Sequence, residues 1–164
     1  MLKKLLLLVV TGFFLASCAA TNTQQGGDVD AASSSSSSGS DSSITAGTQE
    51  DLIVNVSDRV FFEFDSSELT VDAQATLDAQ AAWLMQYPDT NITIEGHADE
   101  RGTREYNLAL GDKRAFAVYS YLAQAGIDTN RMEYISWGKE RPEVVGSDET
   151  AYSQNRRGVT TVTN

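Results

Sequence analysis

Two different spacings of hydrophobic residues alternate along the chain after residue 50. Short runs of β-branched and aromatic residues, alternating with polar ones in Ile92-Thr93-Ile94-Glu95, predict β-strands. Longer segments with hydrophobic residues three and four positions apart predict α-helices. The predicted strands cover residues 60–64, 91–97, 132–137 and 159–163, and the predicted helices cover residues 71–87, 103–125 and, more briefly, 149–156. This βαβαβ(α)β order indicates an α+β fold with helices packed on a sheet that has some parallel pairing.

Turn and cap residues delimit the two long helices. Thr70 is placed to cap the first helix, and Pro88 follows its end. Gly126 follows the second helix, where glycine is typical because it adopts a left-handed backbone at low cost. The positions predicted to be buried recur at helical spacing: Ala73, Leu77, Ala81 and Leu84 in the first helix, and Leu108, Ala115, Val118 and Leu122 in the second.

The amino terminus has the layout of an export signal. Lys3 and Lys4 precede an apolar run over residues 5–15 that is too short to span a bilayer. The following Leu15-Ala16-Ser17-Cys18 resembles the bacterial lipobox, which implies a signal peptide over residues 1–17 and S-diacylglycerol and N-acyl groups on Cys18. The alternative is an ordinary signal peptide followed by an unrelated cysteine. By the sorting rule of enteric lipoproteins, the residue after the cysteine, Ala19, favours the outer membrane.

Residues 18–50 are expected to form the lipidated amino terminus and a flexible, Ser-rich tether. The segment has few apolar side chains to bury, so folding could not offset the entropy of ordering it. Residues 51–164 are expected to form one folded domain. The net charge of −11 argues against nucleic acid as a partner and against a polybasic membrane surface. Membrane contact would therefore come from the lipid.

Charged and hydrogen-bonding side chains crowd the predicted junction between the second strand and the second helix. On a helical wheel Thr103, Asn107, Leu110 and Arg114 share one stripe that is distinct from the core stripe. Together with Asp99 before the helix, this stripe could bind a zwitterion. In that interpretation Asp99 takes an ammonium, Arg114 takes a carboxylate, and Tyr106 covers the aliphatic part of the ligand.

A purely structural interpretation of the same residues is open. Asp99 could simply cap the helix, and Arg114 could pair with Asp99 or Glu95 inside the domain. Thr103 and Asn107 could face only solvent.

Four segments resemble one known family. "GHADERGTREYN", "LALGDKRA", "WGKERP" and "AYSQNRRG" are similar to the peptidoglycan-binding domain of OmpA-like proteins, most closely to the peptidoglycan-associated lipoproteins. The resemblance implies an α/β sandwich with a mixed four-stranded sheet. It also implies a ligand, the diaminopimelate of the peptidoglycan stem peptide. The contacts that it implies are Asp99, Arg114, Glu100, Arg101, Thr103, Tyr106, Asn107, Leu110, Phe64 and Asp65, with Arg156 and Arg157 nearby.

Other chemistry has weaker support in the sequence. Glu95, His97 and Asp99 alternate, but one histidine with two carboxylates is weak evidence for a metal site, and a structural histidine is favoured. No nucleophile has a recognisable catalytic setting. Neighbouring Asp99 and Glu100 do not form the opposed pair that a glycosidase needs. We therefore expect no metal, no cofactor and no enzyme activity.

The resemblance also implies a cellular role. The expected protein is an outer-membrane lipoprotein, with its domain facing the periplasm, that binds peptidoglycan non-covalently. It would act with TolB and the other components of the Tol–Pal system in outer-membrane integrity and in invagination at cell division. Two alternatives stay open at this point: a periplasmic protein-interaction module without wall binding, and an enzyme acting on wall peptides.

Overall fold

The computed structural model describes residues 44–163. The predicted signal peptide, Cys18 and the predicted tether up to residue 43 lie outside these residues. The described part contains helices α1 (Gln49–Asn55), α2 (Val71–Gln86), α3 (Arg104–Gln124) and α4 (Glu149–Asn155), a 3₁₀ turn (Thr129–Arg131), and strands β1 (Arg59–Phe61), β2 (Ile92–His97), β3 (Met132–Gly138) and β4 (Arg157–Val162). None of the described helices is long and apolar enough to cross a membrane.

The four strands form one mixed sheet in the order β1-β4-β2-β3. β4 pairs antiparallel with both β1 and β2, whereas β2 and β3 are parallel, as the helical crossover between them requires. The expected α+β fold with a mixed four-stranded sheet is confirmed. Strand β2 ends next to the start of α3, and the candidate site lies at this junction.

The core lies between the sheet and the two long helices. Thr70 caps α2 by accepting a hydrogen bond from the Ala73 amide, as predicted. The predicted core residues of α2 are all buried, and so are Ala115, Val118 and Leu122 of α3. Leu108 is a wrong prediction, since it is 42% exposed: it lies where α3 passes the edge of the sheet, beyond the reach of the core.

Glycines let α3 approach the sheet more closely than side chains would allow. A Cβ on Gly96 of β2 would lie 1.8 Å from the Gly111 carbonyl oxygen of α3. A Cβ on Gly111 would lie 2.3 Å from the Ser136 hydroxyl oxygen. Because this contact is backbone against backbone, it fixes the height of α3 above β2, and with it the position of Arg114 one turn further along the helix.

Helix α1 was not predicted. Leu52 buries one apolar side chain of the helix in the core, and polar contacts hold the rest. Thr48 caps it, and the indole nitrogen of Trp83 donates to the Asp51 carboxylate at 2.9 Å. The side chain of Gln49 bridges to β4, donating to the Thr160 carbonyl at 3.2 Å and accepting from the Val162 amide at 2.7 Å. The predicted domain start at residue 51 falls inside this helix.

Candidate functional site

A cleft of about 200 Å³ opens at the junction of β2 and α3. One wall comes from the β1–α2 loop and the others from the β2–α3 loop and the first turns of α3. Ten residues line it: Phe64, Asp65, Ala98, Asp99, Arg101, Gly102, Tyr106, Asn107, Leu110 and Arg114. The structure therefore brings together eight of the ten side chains singled out in the sequence, all except Glu100 and Thr103.

Asp99 carries the negative charge of the cleft, and it is buried. Its Oδ1 accepts from the amide and Nε of Arg101, both at 3.1 Å, and its Oδ2 accepts from Nη2 of Arg101 at 2.6 Å. Arg156 Nη1 lies 3.4 Å from the same Oδ2. Burial acts to raise the pKa of Asp99, but these hydrogen bonds outweigh it and hold the pKa below its usual value. The carboxylate is ionised and already has cationic partners.

Arg114 is fully buried at the base of the cleft and joins the β1–α2 loop to the end of β2. Its Nε donates to the Ser66 carbonyl at 2.8 Å, Nη1 to the His97 carbonyl at 2.8 Å and Nη2 to the Glu63 carbonyl at 3.1 Å. Burial lowers its pKa to about 10, so it stays charged at neutral pH. Since a guanidinium has five N–H donors, two are not used by these three bonds. Arg114 therefore holds these backbone segments together and still has N–H groups that can donate to an anion.

Arg101 lies over the Asp99 carboxylate. Its guanidinium sits between two aromatic rings, 4.2 Å from the Phe64 ring centre and 4.3 Å from that of Tyr152. Its side chain is 35% exposed, whereas that of Arg156 is 6% exposed. Of the two cations on Asp99, Arg101 is therefore the one with room to move.

Tyr106 and Asp65 form the rim of the cleft. The Tyr106 hydroxyl donates to the Asp65 carboxylate, and this bond raises the pKa of the phenol. Asp65 has a φ of +54°, a left-handed turn conformation that Asp tolerates better than most residues. Tyr106 is still 51% exposed, so its ring can contact a ligand that enters the cleft.

The other predicted contacts lie around this cleft. Thr103 caps α3 by accepting from the Tyr106 amide at 3.1 Å. Asn107 is buried and donates to the Arg101 carbonyl at 2.8 Å, which excludes the interpretation that it faces solvent. Glu100 points instead to the Tyr152 hydroxyl at 3.0 Å. Arg157 lies 3.4 Å from Glu143 and does not line the cleft.

His97 is buried beside the cleft. Burial lowers its pKa to about 3, with a further effect of the nearby Arg157 charge, so the imidazole is neutral at physiological pH. Its Nε2 lies 3.3 Å from Glu95. In residues 44–163 no three His, Cys, Asp or Glu side chains are grouped so that they could hold a metal ion.

The sequence did not indicate Tyr152 as a partner of the cleft residues; the family resemblance placed Arg156 near the cleft without identifying its contact with Asp99. Tyr152, on α4, contacts both Arg101 and Glu100. Arg156 holds Asp99 and also lies 2.7 Å from Glu149. The "AYSQNRRG" segment contains both residues, but no periodicity in the sequence could place α4 against a loop some fifty residues earlier in the chain.

The chain belongs to the OmpA family, whose model matches residues 61–156. Among similar proteins are peptidoglycan-associated lipoproteins from Rhizobium meliloti and Brucella melitensis, each 60% identical over 116 residues. The match covers 71% of this chain, 66% of the first relative and 69% of the second. The chain thus spans about two thirds of the length of these relatives.

Solved structures give the same result. The peptidoglycan-associated lipoprotein from Burkholderia pseudomallei is 44% identical, with a TM-score of 0.63 over 65% of this chain and 90% of that one. The carboxy-terminal domain of Helicobacter pylori MotB, at 21% identity and a TM-score of 0.60, shows the shared fold alone. The resemblance inferred from the sequence is confirmed. The relatives are named as peptidoglycan-associated lipoproteins, not as enzymes.

Proposed function

We propose that this protein is an outer-membrane lipoprotein that binds peptidoglycan non-covalently through the diaminopimelate of the stem peptide. The observation that carries the proposal is the pairing of an ionised Asp99 with a charged Arg114 in one small cleft. The free end of diaminopimelate bears an ammonium and a carboxylate, so one anion and one cation match it. The relatives are named peptidoglycan-associated lipoproteins, which also supports a peptidoglycan ligand.

Asp99 already binds Arg101, and this contact suggests how a ligand would enter. The ligand ammonium would replace Arg101 on the carboxylate, an exchange that keeps the charge at Asp99 balanced. Arg101 would stay between its aromatic neighbours or turn toward the ligand carboxylate. The two remaining N–H donors of Arg114 would bind that carboxylate at the base of the cleft.

The size of the cleft favours a head group over a larger fragment. A volume of about 200 Å³ is below the roughly 300–1,000 Å³ of pockets that enclose drug-sized ligands. The cleft would therefore take one end of an amino acid and leave the sugar strands outside. One such contact is weak, but many anchored copies on one polymer would bind with strong avidity.

The anchor and the partners complete the proposal. Lipidation at Cys18 would hold the chain in the outer membrane, and residues 18–50 would let the domain reach the wall. The protein would act in the Tol–Pal system with TolB, in envelope integrity and in invagination at division. A Cys18→Ala protein would then appear in the soluble periplasmic fraction, and its retention in membranes would contradict the anchor.

Co-sedimentation with purified peptidoglycan tests the cleft. Because Arg114 also holds loops together, the variants to compare first are at the exposed rim, Phe64→Ala and Tyr106→Ala. The matched control is Phe116→Ala, since Phe116 is as exposed as Tyr106, at 51%, but does not line the cleft. We expect the affinity for peptidoglycan to fall in the rim variants only, by roughly three- to thirtyfold for a lost aromatic contact.

Two charge variants then address the ligand groups. Asp99→Asn and Arg114→Lys should each abolish wall binding, with circular dichroism showing that the fold persists. Free diaminopimelate should compete for the wild-type protein. If folded variants at both positions still sediment like wild type, wall binding through this cleft is wrong, and an interaction module without wall contact becomes the better description.

A further inference from the structure

A second surface lies along the outer edge of β3. A groove of about 560 Å³ runs between this strand and the first half of α3, and it is separate from the cleft at Asp99. Its lining residues from β3 are Tyr134, Ile135 and Ser136, and those from α3 include Leu108 and Asp112. The groove combines three properties: an open strand edge, an apolar floor and an acidic rim.

The strand edge is open because β3 is the last strand of the sheet. The Thr163 amide donates to the carbonyl of Asn91, just before β2, so the backbone groups of Asn91 face β4. Backbone groups alternate in direction along a strand, so those of Ile92 and Ile94 face β3. Ile94 lies opposite Tyr134 in the parallel register, so the backbone groups of Glu133 and Ile135 are the ones that bond to β2. The amides and carbonyls of Tyr134 and Ser136 therefore face outward, and an extended chain could pair with them.

The floor of the groove continues into an aromatic cluster. Leu108, Asp112 and Phe116 are spaced by four residues along α3, so they share one side of the helix. Phe116 and Tyr134 are 51% and 41% exposed, and their ring centres are 5.6 Å apart. Tyr119 packs against both rings. Exposed apolar side chains that adjoin in this way mark a contact surface more often than isolated ones do.

The rim of the groove is negatively charged. Glu105 and Asp112 line the groove, Glu133 precedes Tyr134 in β3, and none of the three forms an ion pair within residues 44–163. Arg104, the cation among the lining residues, lies 3.2 Å from Glu140. A second copy of this chain would bring the same carboxylates to the seam from both sides. The chain's own amino-terminal segment is no better match, because residues 5–58 contain no Lys or Arg. An occupant with positive charge is favoured over both.

We infer that the β3–α3 groove binds an extended segment of another protein in which apolar and basic side chains alternate. The segment would add a strand to β3 through Tyr134 and Ser136. Its apolar side chains would contact Leu108, Tyr134 and Phe116 on the α3 side of the sheet. Its basic side chains would point to the opposite face, beside Glu133, and Asp112 would add to the negative potential around the groove. Backbone pairing supplies affinity in this mode of recognition, and the side chains supply selectivity. The inference does not depend on the ligand of the Asp99 cleft.

The test uses the full chain and a fluorescein-labelled octapeptide of alternating Val and Lys. Fluorescence anisotropy should show saturable binding, and NMR should show amide shifts centred on residues 134–136. Two comparison peptides separate the contributions: one replaces Lys by Glu, and the other carries N-methyl groups on the edge-facing amides, which removes donors without changing charge. Each should bind at least about tenfold more weakly, the loss expected for charge reversal or for several backbone hydrogen bonds.

Matched protein variants make the result specific. Asp112→Lys/Glu133→Lys should weaken the Val–Lys peptide by about tenfold or more. Glu68→Lys/Asp89→Lys makes the same change in net charge at exposed positions outside the groove and should leave binding unchanged. Equal binding of the N-methylated peptide, equal loss in both double variants, or shifts centred on the Asp99 cleft would overturn the inference. A concentration-dependent dimer that Phe116→Glu abolishes would overturn it in favour of a second copy.

Discussion

The contact between Gly96 and Gly111 makes a sharp prediction for the substitution Gly96→Ala. The added Cβ would lie 1.8 Å from the Gly111 carbonyl oxygen, and Cβ atoms essentially never come within 3.0 Å of another atom. Helix α3 must therefore retreat from β2 by more than 1 Å at this point. The obstacle is backbone, so no side chain can rotate away to relieve it.

The size of the effect follows from two opposing contributions. Overpacking costs about 1–3 kcal/mol, and a backbone obstacle favours the upper end. The loss of glycine's freedom in the unfolded chain offsets about 0.5–1 kcal/mol. We expect a net loss of about 2 kcal/mol in the free energy of unfolding. With a urea m-value of about 1–2 kcal/mol/M, the midpoint should fall by roughly 1–2 M.

Gly158→Ala is the matched control, because Gly158 is paired directly with Gly96 across the sheet. The three atoms nearest to its Cβ would all belong to side chains, the closest being Val118 Cγ2 at 3.2 Å. We expect a change of less than about 1 kcal/mol. The assay is urea unfolding followed by tryptophan fluorescence. If the two variants differ by less than about 0.5 kcal/mol, the close approach of α3 is not what holds the helix in place.

Three further predictions concern buried polar groups. The unfolded chain binds a proton at His97 near pH 6.5, but the folded chain does so only near pH 3. The free energy of unfolding should therefore fall as the pH drops below about 6.5, by about 2 kcal/mol from pH 8 to pH 5. His97→Gln should remove this slope in urea unfolding at several pH values, and an unchanged slope would contradict it. Arg114→Met should lose about 2–4 kcal/mol of the free energy of unfolding, because three backbone carbonyls lose their donors; a thermal melt within about 3 °C of wild type would refute this. Trp83→Phe should cost about 1 kcal/mol and speed hydrogen exchange in α1, since Asp51 loses its indole donor; unchanged protection there would argue against that contact.

The parts of the fold that depend on local signals were predictable. Thr70 and the helical spacing placed α2 almost to the residue, and alternation placed β2. Helix α1 was missed because Leu52 is its one buried hydrophobic residue, and its position depends on contacts with Trp83 and β4. Local spacing carries no information about partners so far along the chain.

The candidate site was predictable to a similar degree. The wheel of α3 put Asn107, Leu110 and Arg114 on one stripe, and the structure places them in one cleft. The wheel could not reveal that Arg114 donates to three backbone carbonyls, or that Arg101 already covers Asp99. Those contacts come from loops whose positions are set by tertiary packing.

The attachment of α1 has a mechanical consequence. Tension applied from the amino-terminal side reaches α1 first, where Gln49 and Asp51 join it to β4 and Trp83. Losing these side-chain bonds and withdrawing Leu52 from the core would free a seven-residue helix. Stretched from about 1.5 to about 3.4 Å per residue, it would lengthen the chain by roughly 13 Å. Helix α1 would therefore act as a compliant element that yields under load while the sheet, and the cleft at its edge, keep their shape.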